Sequence, residues 1–240
     1  MNFTLSTWIH PKYLTKAFIR DSIESLGRCS LVKVLIFDNF LNEKIATRVR
    51  QSLVNPETPR SFSFNESTEM ERHKEFWYNS EYSPDNINHF FYEGELFELL
   101  DCFLNSEEFL RYISLFYGEC ISYQTPKMNH RGWKYGITLQ DNTFIEIKWW
   151  HTDSETWYGK QKRWNILLYL TPEWKEHFWW CLELWKYEGN HIITYDSIAP
   201  IFNRLVLLLS EEDMSWHKIW NFHTNYHRIT YVNQILSQPS

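Results

Sequence analysis

The second half of the chain limits the possible folds most, because from about residue 119 to residue 235 short runs of β-forming residues alternate with turn residues. The runs are about four to eight residues long, and Asp-Asn, Thr-Pro, Glu-Gly-Asn and Ala-Pro separate several of them. This spacing predicts antiparallel β-structure in a sandwich or a barrel. The runs are CISYQ, YGITL, TFIEIKWWH, WNILLYL, CLELW, HIITY, NRLVLLL and HRITYV.

The first half predicts a strand, a helix and a loop, in that order. Residues 31–40 contain the apolar run LVKVLIF, which is typical of a strand. Within residues 42–53, apolar side chains recur at every fourth position, which predicts a helix with one apolar face. The polar, turn-rich residues 55–85 predict a surface loop.

A second helical region is predicted over residues 93–117, where leucine and phenylalanine recur at helical spacing. Ser106, followed by two glutamates, predicts the start of a new helix within it, and Gly118 predicts the end. Helices on one side of an antiparallel sheet form a stable layer arrangement. The sequence therefore predicts N-terminal helices that lead into a C-terminal β-region.

The net charge of −6 and the pI near 5.9 argue against nonspecific binding to nucleic acid or to anionic membranes. The four cysteines are scattered without a CxxC pair, which predicts free thiols in a reducing compartment. Residues 1–11 lack the basic and apolar regions of a secretory signal, and no apolar run reaches the length of about 18 residues that a membrane-spanning helix needs. We expect a cytoplasmic protein.

Three side chains form a candidate metal site. His151 and Asp153 follow a strand-like run, and residues two apart in a strand point to the same face, so both can reach one ion. His217 comes later in the chain, after the strand-like run NRLVLLL. Two histidines and one carboxylate with open positions are the ligand set of non-haem Fe(II) oxygenases. The alternative is that the histidines are partly buried and satisfied by ordinary hydrogen bonds.

Two longer segments carry a family resemblance. HTDSETWYGKQKRWNILLYLTPEWKEHFWWCLELW and IAPIFNRLVLLLSEEDMSWHKIWNFHTNYHRITYV resemble the central and final parts of the prolyl-4-hydroxylase-like 2-oxoglutarate- and Fe(II)-dependent oxygenases. VKVLIFDNFLNEKIATRVRQSL is similar to the strand and helix that open the family domain. The resemblance covers roughly residues 31–235.

The resemblance implies a fold and a domain plan. The fold class is α+β and mainly β: a double-stranded β-helix, a jelly-roll barrel like that of the cupins, with N-terminal helices packed on one side. Residues 1–30 are expected to be an N-terminal extension, and residues 31–235 a single domain. Helical support is expected over about 40–118 and the β-helix core over about 119–235.

The resemblance also implies the cofactors and their ligands. His151, Asp153 and His217 would bind Fe(II), and Arg228 would bind the distal carboxylate of 2-oxoglutarate, for which a guanidinium offers a fixed two-pronged fork. O2 is the third reactant. Tyr135 is one candidate to complete the cofactor site, and Tyr123 is another.

One segment departs from the family pattern. Where family members usually have Gly-Gly before Leu-x-Leu, this chain has Phe178-Trp179-Trp180. The large rings either wall a substrate pocket or fill the cofactor space, and the presence of all the expected ligands favours the first interpretation. Candidate substrate-pocket residues are Trp150, Arg163, Trp179 and Trp180.

The expected activity is hydroxylation of an unactivated C–H bond in a peptide, an amino acid or a small biosynthetic intermediate. The carboxylate of Asp153 favours hydroxylation over halogenation, because halogenases of this family leave that coordination position open. The alternatives are a catalytically degenerate β-helix binding protein and a cupin-like metal enzyme that does not use 2-oxoglutarate. No nucleic-acid or membrane partner is expected, and the sequence leaves monomer and homodimer open.

Overall fold

The computed structural model describes residues 3–28, 33–58, 60–61, 89–92, 94–117, 137–140, 156–157, 160–176, 181–189, 191–209, 217–219 and 228–237. The helices in these residues are α1 (Leu5–Trp8), α2 (Lys16–Arg28), α3 (Glu43–Val54), α4 (Glu95–Leu104) and α5 (Glu107–Tyr117), with a 3₁₀ turn at Pro11–Leu14. None of these helices is long and apolar enough to span a membrane.

Eleven strands occur in the same residues, and they form two antiparallel sheets. The large sheet has the order β1-β9-β6-β11-β4-β3-β2 with β5 on β6, and the small sheet has the order β10-β7-β8. The antiparallel β-structure predicted from the sequence is confirmed. The strands are β1 (Val34–Asp38), β2 (Arg60–Ser61), β3 (His89–Tyr92), β4 (Ile137–Gln140), β5 (Thr156–Trp157), β6 (Lys160–Tyr169), β7 (Leu182–Glu188), β8 (His191–Ile198), β9 (Arg204–Leu209), β10 (His217–Ile219) and β11 (Arg228–Ser237).

Alternate residues along the strands of the large sheet belong to two different apolar cores. In β6, Ile166 and Leu168 belong to the core shared with the helices. Leu167 and Tyr169 belong to a second core, which also contains Leu184 of the small sheet. Since successive strand residues point to opposite faces, the large sheet is the middle layer between the helices and the small sheet.

Beyond β6 the chain passes repeatedly from one sheet to the other. It leaves β6 in the large sheet for the β7–β8 hairpin in the small sheet, and returns to the large sheet as β9. It then crosses to β10 in the small sheet and back to β11 in the large sheet. Consecutive strands thus form the two walls of one sandwich.

The helix starts follow the sequence signals. The side chain of Asn42 accepts a hydrogen bond of 3.1 Å from the Lys44 N–H at the start of α3. The hydroxyl of Ser106 accepts one of 3.2 Å from the Phe109 N–H at the start of α5. The predicted helical region therefore contains two helices, α4 and α5, with the new start at Ser106 as expected.

The N-terminal residues contribute to the helical core. Trp8, Ile9 and Tyr13 are buried in it. Ile9 forms an isolated antiparallel bridge with Leu41, and the His10 N–H donates to the Phe40 carbonyl at 2.8 Å. Residues 8–13, which belong to the predicted N-terminal extension, thus pack against the loop between β1 and α3.

Asn203 joins that loop to the large sheet. Its side-chain amide accepts a hydrogen bond from the Leu41 N–H at 2.7 Å and donates one to the Leu41 carbonyl at 3.1 Å. Its backbone carbonyl accepts from the Phe40 N–H, and its N–H donates to the Tyr169 carbonyl, each at 2.8 Å. Asn203 has a φ of 63°, a left-handed conformation that asparagine tolerates better than most residues.

We expect Asn203→Ala to lower the free energy of unfolding by about 3 kcal/mol or more, because two buried backbone groups lose their partners and alanine is strained at positive φ. Urea unfolding followed by circular dichroism measures this loss. The matched variant Asn203→Gly loses the same side-chain bonds without the backbone strain, so it should be the more stable of the two. Equal stability of the variants would contradict the role given to the backbone conformation.

Burial raises the pKa of Tyr13 to about 12, with a further rise from the Asp38 carboxylate and a partial offset by Arg204. The Tyr13 hydroxyl donates to the Asp38 carbonyl. Above the ordinary tyrosine pKa of about 10 the unfolded chain loses this proton while the folded chain keeps it, so stability falls as the pH rises.

We therefore expect stability to decline between pH 10 and pH 12, and the decline to be shallower in Tyr13→Phe. Urea unfolding across that pH range in both proteins measures the two slopes. Parallel slopes would show that Tyr13 does not titrate as its burial requires.

Candidate active site

His217 lies between the two sheets. It begins β10 and pairs directly with Leu184 of β7. Residues that are directly opposite in an antiparallel pair point to the same face, and Leu184 is completely buried in the core between the sheets. Only 6% of His217 is exposed, so an ionisable side chain occupies the inner face of the small sheet.

The position of Arg228 lies on the inner face of the large sheet. It is the first residue of β11, and positions 228, 230 and 232 share one face of that strand. Val232 packs against the core between the sheets, whereas Ile229 and Tyr231 belong to the helical core. The positions of His217 and Arg228 therefore lie on the two inner faces that bound one space.

The register adds a residue that the sequence did not single out. Gln140 of β4 pairs with Arg228 on one side and with His89 of β3 on the other. The three positions form a row across the sheet on its inner face. The alternation in YGITLQ puts Gln140 in phase with Thr138, but only the pairing with β11 shows that this phase is the inner one.

Arg163 is the extra residue of a β-bulge. Ile235 of β11 pairs with Trp164, and the next residue, Leu236, pairs with Lys162, so the register skips Arg163. β-Bulges bend the strand and occur often beside active sites. The substrate-pocket role of Arg163 stays a prediction.

The remaining predicted site residues lie outside the described part of the chain. The metal ligands His151 and Asp153 are among them, so the complete ligand set stays a prediction. The others are Tyr123, Tyr135, Trp150, Trp179 and Trp180.

Comparison with known proteins finds a similarity in the C-terminal region. Residues 141–233 match the model of the 2OG-Fe(II) oxygenase superfamily. A solved oxidoreductase of the 2OG-Fe(II) oxygenase family from Burkholderia pseudomallei is 10% identical, with a TM-score of 0.52 over 93% of this chain and 91% of that chain. A Pseudomonas putida prolyl-4-hydroxylase is 11% identical, with a TM-score of 0.49 over 92% of this chain and 100% of that chain.

A third solved structure is the prolyl hydroxylase from Trichoplax adhaerens in complex with a hypoxia inducible factor oxygen degradation domain peptide fragment. It is 19% identical, with a TM-score of 0.45 over 92% of this chain and 90% of that chain. No curated protein sequence matches this chain.

The fold and the site define an antiparallel β-protein whose candidate active centre lies between its two sheets. Residues 141–233 are similar to the 2OG-Fe(II) oxygenase superfamily, which supports the family resemblance seen in the sequence. Enzymes of this family use Fe(II), 2-oxoglutarate and O2. The Burkholderia structure adds a shared fold.

We expect Leu184→Ala to lower the free energy of unfolding by about 2–5 kcal/mol, because it leaves a cavity in the core between the two sheets. Urea unfolding of the variant and the wild type measures this loss. A loss below about 1 kcal/mol would contradict the close packing of the two sheets at this position.

Proposed function

We propose that this chain is a dioxygenase that uses Fe(II) and 2-oxoglutarate to hydroxylate an unactivated C–H bond of a peptide, an amino acid or a small biosynthetic intermediate. The observation that supports this most is that the positions of His217 and Arg228 lie on the inner faces of the two sheets. Both residues also lie within the segment that matches the oxygenase family.

The proposed fold is a double-stranded β-helix. Its support is the path of the chain from β6 to β11, which alternates between the large and the small sheet. A jelly roll consists of two antiparallel sheets that are connected in this way. The stretch that contains His151 and Asp153 would supply a further strand between β4 and β6.

The residues suit a metal of intermediate hardness. His217 presents an imidazole on a rigid strand, between two sheets that keep bulk water away. His151 and Asp153 complete the proposed set, and two histidines with one carboxylate are the ligands typical of non-haem Fe(II). When bound, Fe(II) with 2-oxoglutarate and O2 supplies the oxidising power that no amino-acid side chain has.

Arg228 is the proposed anchor for 2-oxoglutarate. Its guanidinium forms two parallel charge-assisted hydrogen bonds with a carboxylate, which fixes the orientation as well as the position of the co-substrate. Gln140 on the neighbouring strand brings an amide with both a donor and an acceptor to the same row.

The inner faces beside the proposed metal centre exclude water. Leu182, Leu184 and Ile198 of the small sheet pack against Leu167 and Val206 of the large sheet. This layer prevents solvent from reaching the reacting centre from this side.

The test is an anaerobic titration of the Fe(II)-loaded protein with 2-oxoglutarate, followed by the weak visible metal-to-ligand charge-transfer band. We expect the band in the wild type and at least a tenfold rise in the 2-oxoglutarate needed for Arg228→Ala, because a bidentate ion pair is lost. His217→Ala should bind Fe(II) at least tenfold more weakly. The matched control His227→Ala, next to Arg228, should behave as the wild type.

Two results would contradict the proposal. Bound iron without a charge-transfer band would indicate a cupin-like metal enzyme that does not use 2-oxoglutarate. Failure of the wild type to bind iron would indicate a degenerate binding protein, in which Trp179 and Trp180 fill the cofactor space.

A further inference from the structure

The β7–β8 hairpin extends well past His217. His217 pairs with Leu184, and β7 continues from there to Glu188 before β8 returns from His191. At about 3.3 Å per residue the hairpin projects roughly 13 Å beyond the histidine. Its inner face therefore borders any ligand that lies next to a metal on His217.

Burial changes along the inner face of the hairpin. Leu182, Leu184 and Ile198 are buried on the inner face at one end of the hairpin. Lys186, the next inner position on β7, is half-buried, and Glu188 after it is exposed. Burial on the inner face of β7 therefore decreases from Leu182 and Leu184 towards the hairpin tip.

Two opposite charges lie on this face. Asp196 pairs with Leu184 and so lies in the same row as His217. Lys186 lies two residues further along β7, where it pairs with Ile193 because the register shifts at Leu184/Trp185. Diagonal neighbours of this kind have side chains about 7–8 Å apart. Lys186 is about 8 Å from His217 between Cα atoms, from strand spacings.

Neither charge is neutralised by the other. In the described part of the chain no ion pair joins Lys186 to Asp196. One carboxylate oxygen of Asp196 accepts a hydrogen bond of 2.8 Å from the Ser197 N–H. Asp196 is exposed, as are the other charged positions on this face, Glu188 and His191 at the hairpin tip. A half-buried ammonium beside an exposed carboxylate suits a ligand that has both a negative and a positive group.

Resting on the proposed function, we propose that the substrate is a free α-amino acid, with its carboxylate bound by Lys186 and its ammonium bound by Asp196. The two groups of an α-amino acid fit between side chains at this spacing. Its side chain would then lie towards His217, where a C–H bond can be oxidised. An internal residue of a peptide has neither charge and gains nothing from this pair.

The experiment is anaerobic titration calorimetry of the full chain with Fe(II) and 2-oxoglutarate, using the twenty L-α-amino acids as probes. The carboxamide and N-acetyl derivatives of each binder are then compared. We expect the carboxamide to bind the wild type at least tenfold more weakly than the free acid. Lys186→Met should bind the free acid at least tenfold more weakly than the wild type does, and should bind the carboxamide with unchanged affinity.

Asp196→Asn should bind the free amino acid at least tenfold more weakly than the wild type does, and should bind the N-acetyl derivative as the wild type does. The matched control is Lys44→Met, which removes an exposed lysine from α3 on the helical side. The charge-transfer band with 2-oxoglutarate should stay unchanged in all three variants, which shows that the cofactor site is intact.

Binding of no free amino acid, with the charge-transfer band present, would overturn this inference and leave the proposed function standing. Equal binding of free amino acids by Lys186→Met and Lys44→Met would also overturn it. Absence of the band in the wild type would instead contradict the proposed function itself.

Discussion

The fold depends on the way in which Asn203 joins the helical layer to the large sheet. One residue makes hydrogen bonds with the backbone of Phe40, Leu41 and Tyr169, and so fixes the loop before α3 against the ends of β6 and β9. These backbone groups are buried, and leaving any of them unpaired would cost more free energy than the bond contributes. The left-handed conformation at Asn203 is tolerated because the side chain is itself satisfied.

A fixed large sheet determines which residues can form the site. Because strand residues alternate between faces, a slip of β11 by one residue would exchange the inner position of Arg228 with the helical-core position of Ile229. The apolar face against the helices opposes such a slip, since it would expose Ile229 and Tyr231 and bury polar residues instead. The helical core therefore maintains the register that places Arg228, the proposed anchor for 2-oxoglutarate, on the inner face.

The sequence predicted those features that depend on local signals. Ser106 marks a helix start through its own capping hydrogen bond, the apolar period of residues 42–53 predicts α3, and the turn spacing predicts antiparallel strands. Gln140 and Lys186 could not be found in this way, because their importance comes from strands that are distant in sequence. The tryptophans predicted as pocket residues have the same difficulty. Their role depends on which strands lie next to them, and a local sequence pattern does not predict that.

Among the described strands, each sheet contains a β-bulge. In the large sheet the register skips Arg163, and in the small sheet the shift between Leu184 and Trp185 makes Tyr195 the extra residue of β8. A bulge increases the local twist of a strand, so the β7–β8 hairpin beyond His217 need not continue the plane of the small sheet. The inner face changes within two residues of this bulge, from the buried Leu184 to the half-buried Lys186. Ideal pairing is therefore lost in the same row as the buried His217, at the point where the inner face of the hairpin changes from apolar to polar.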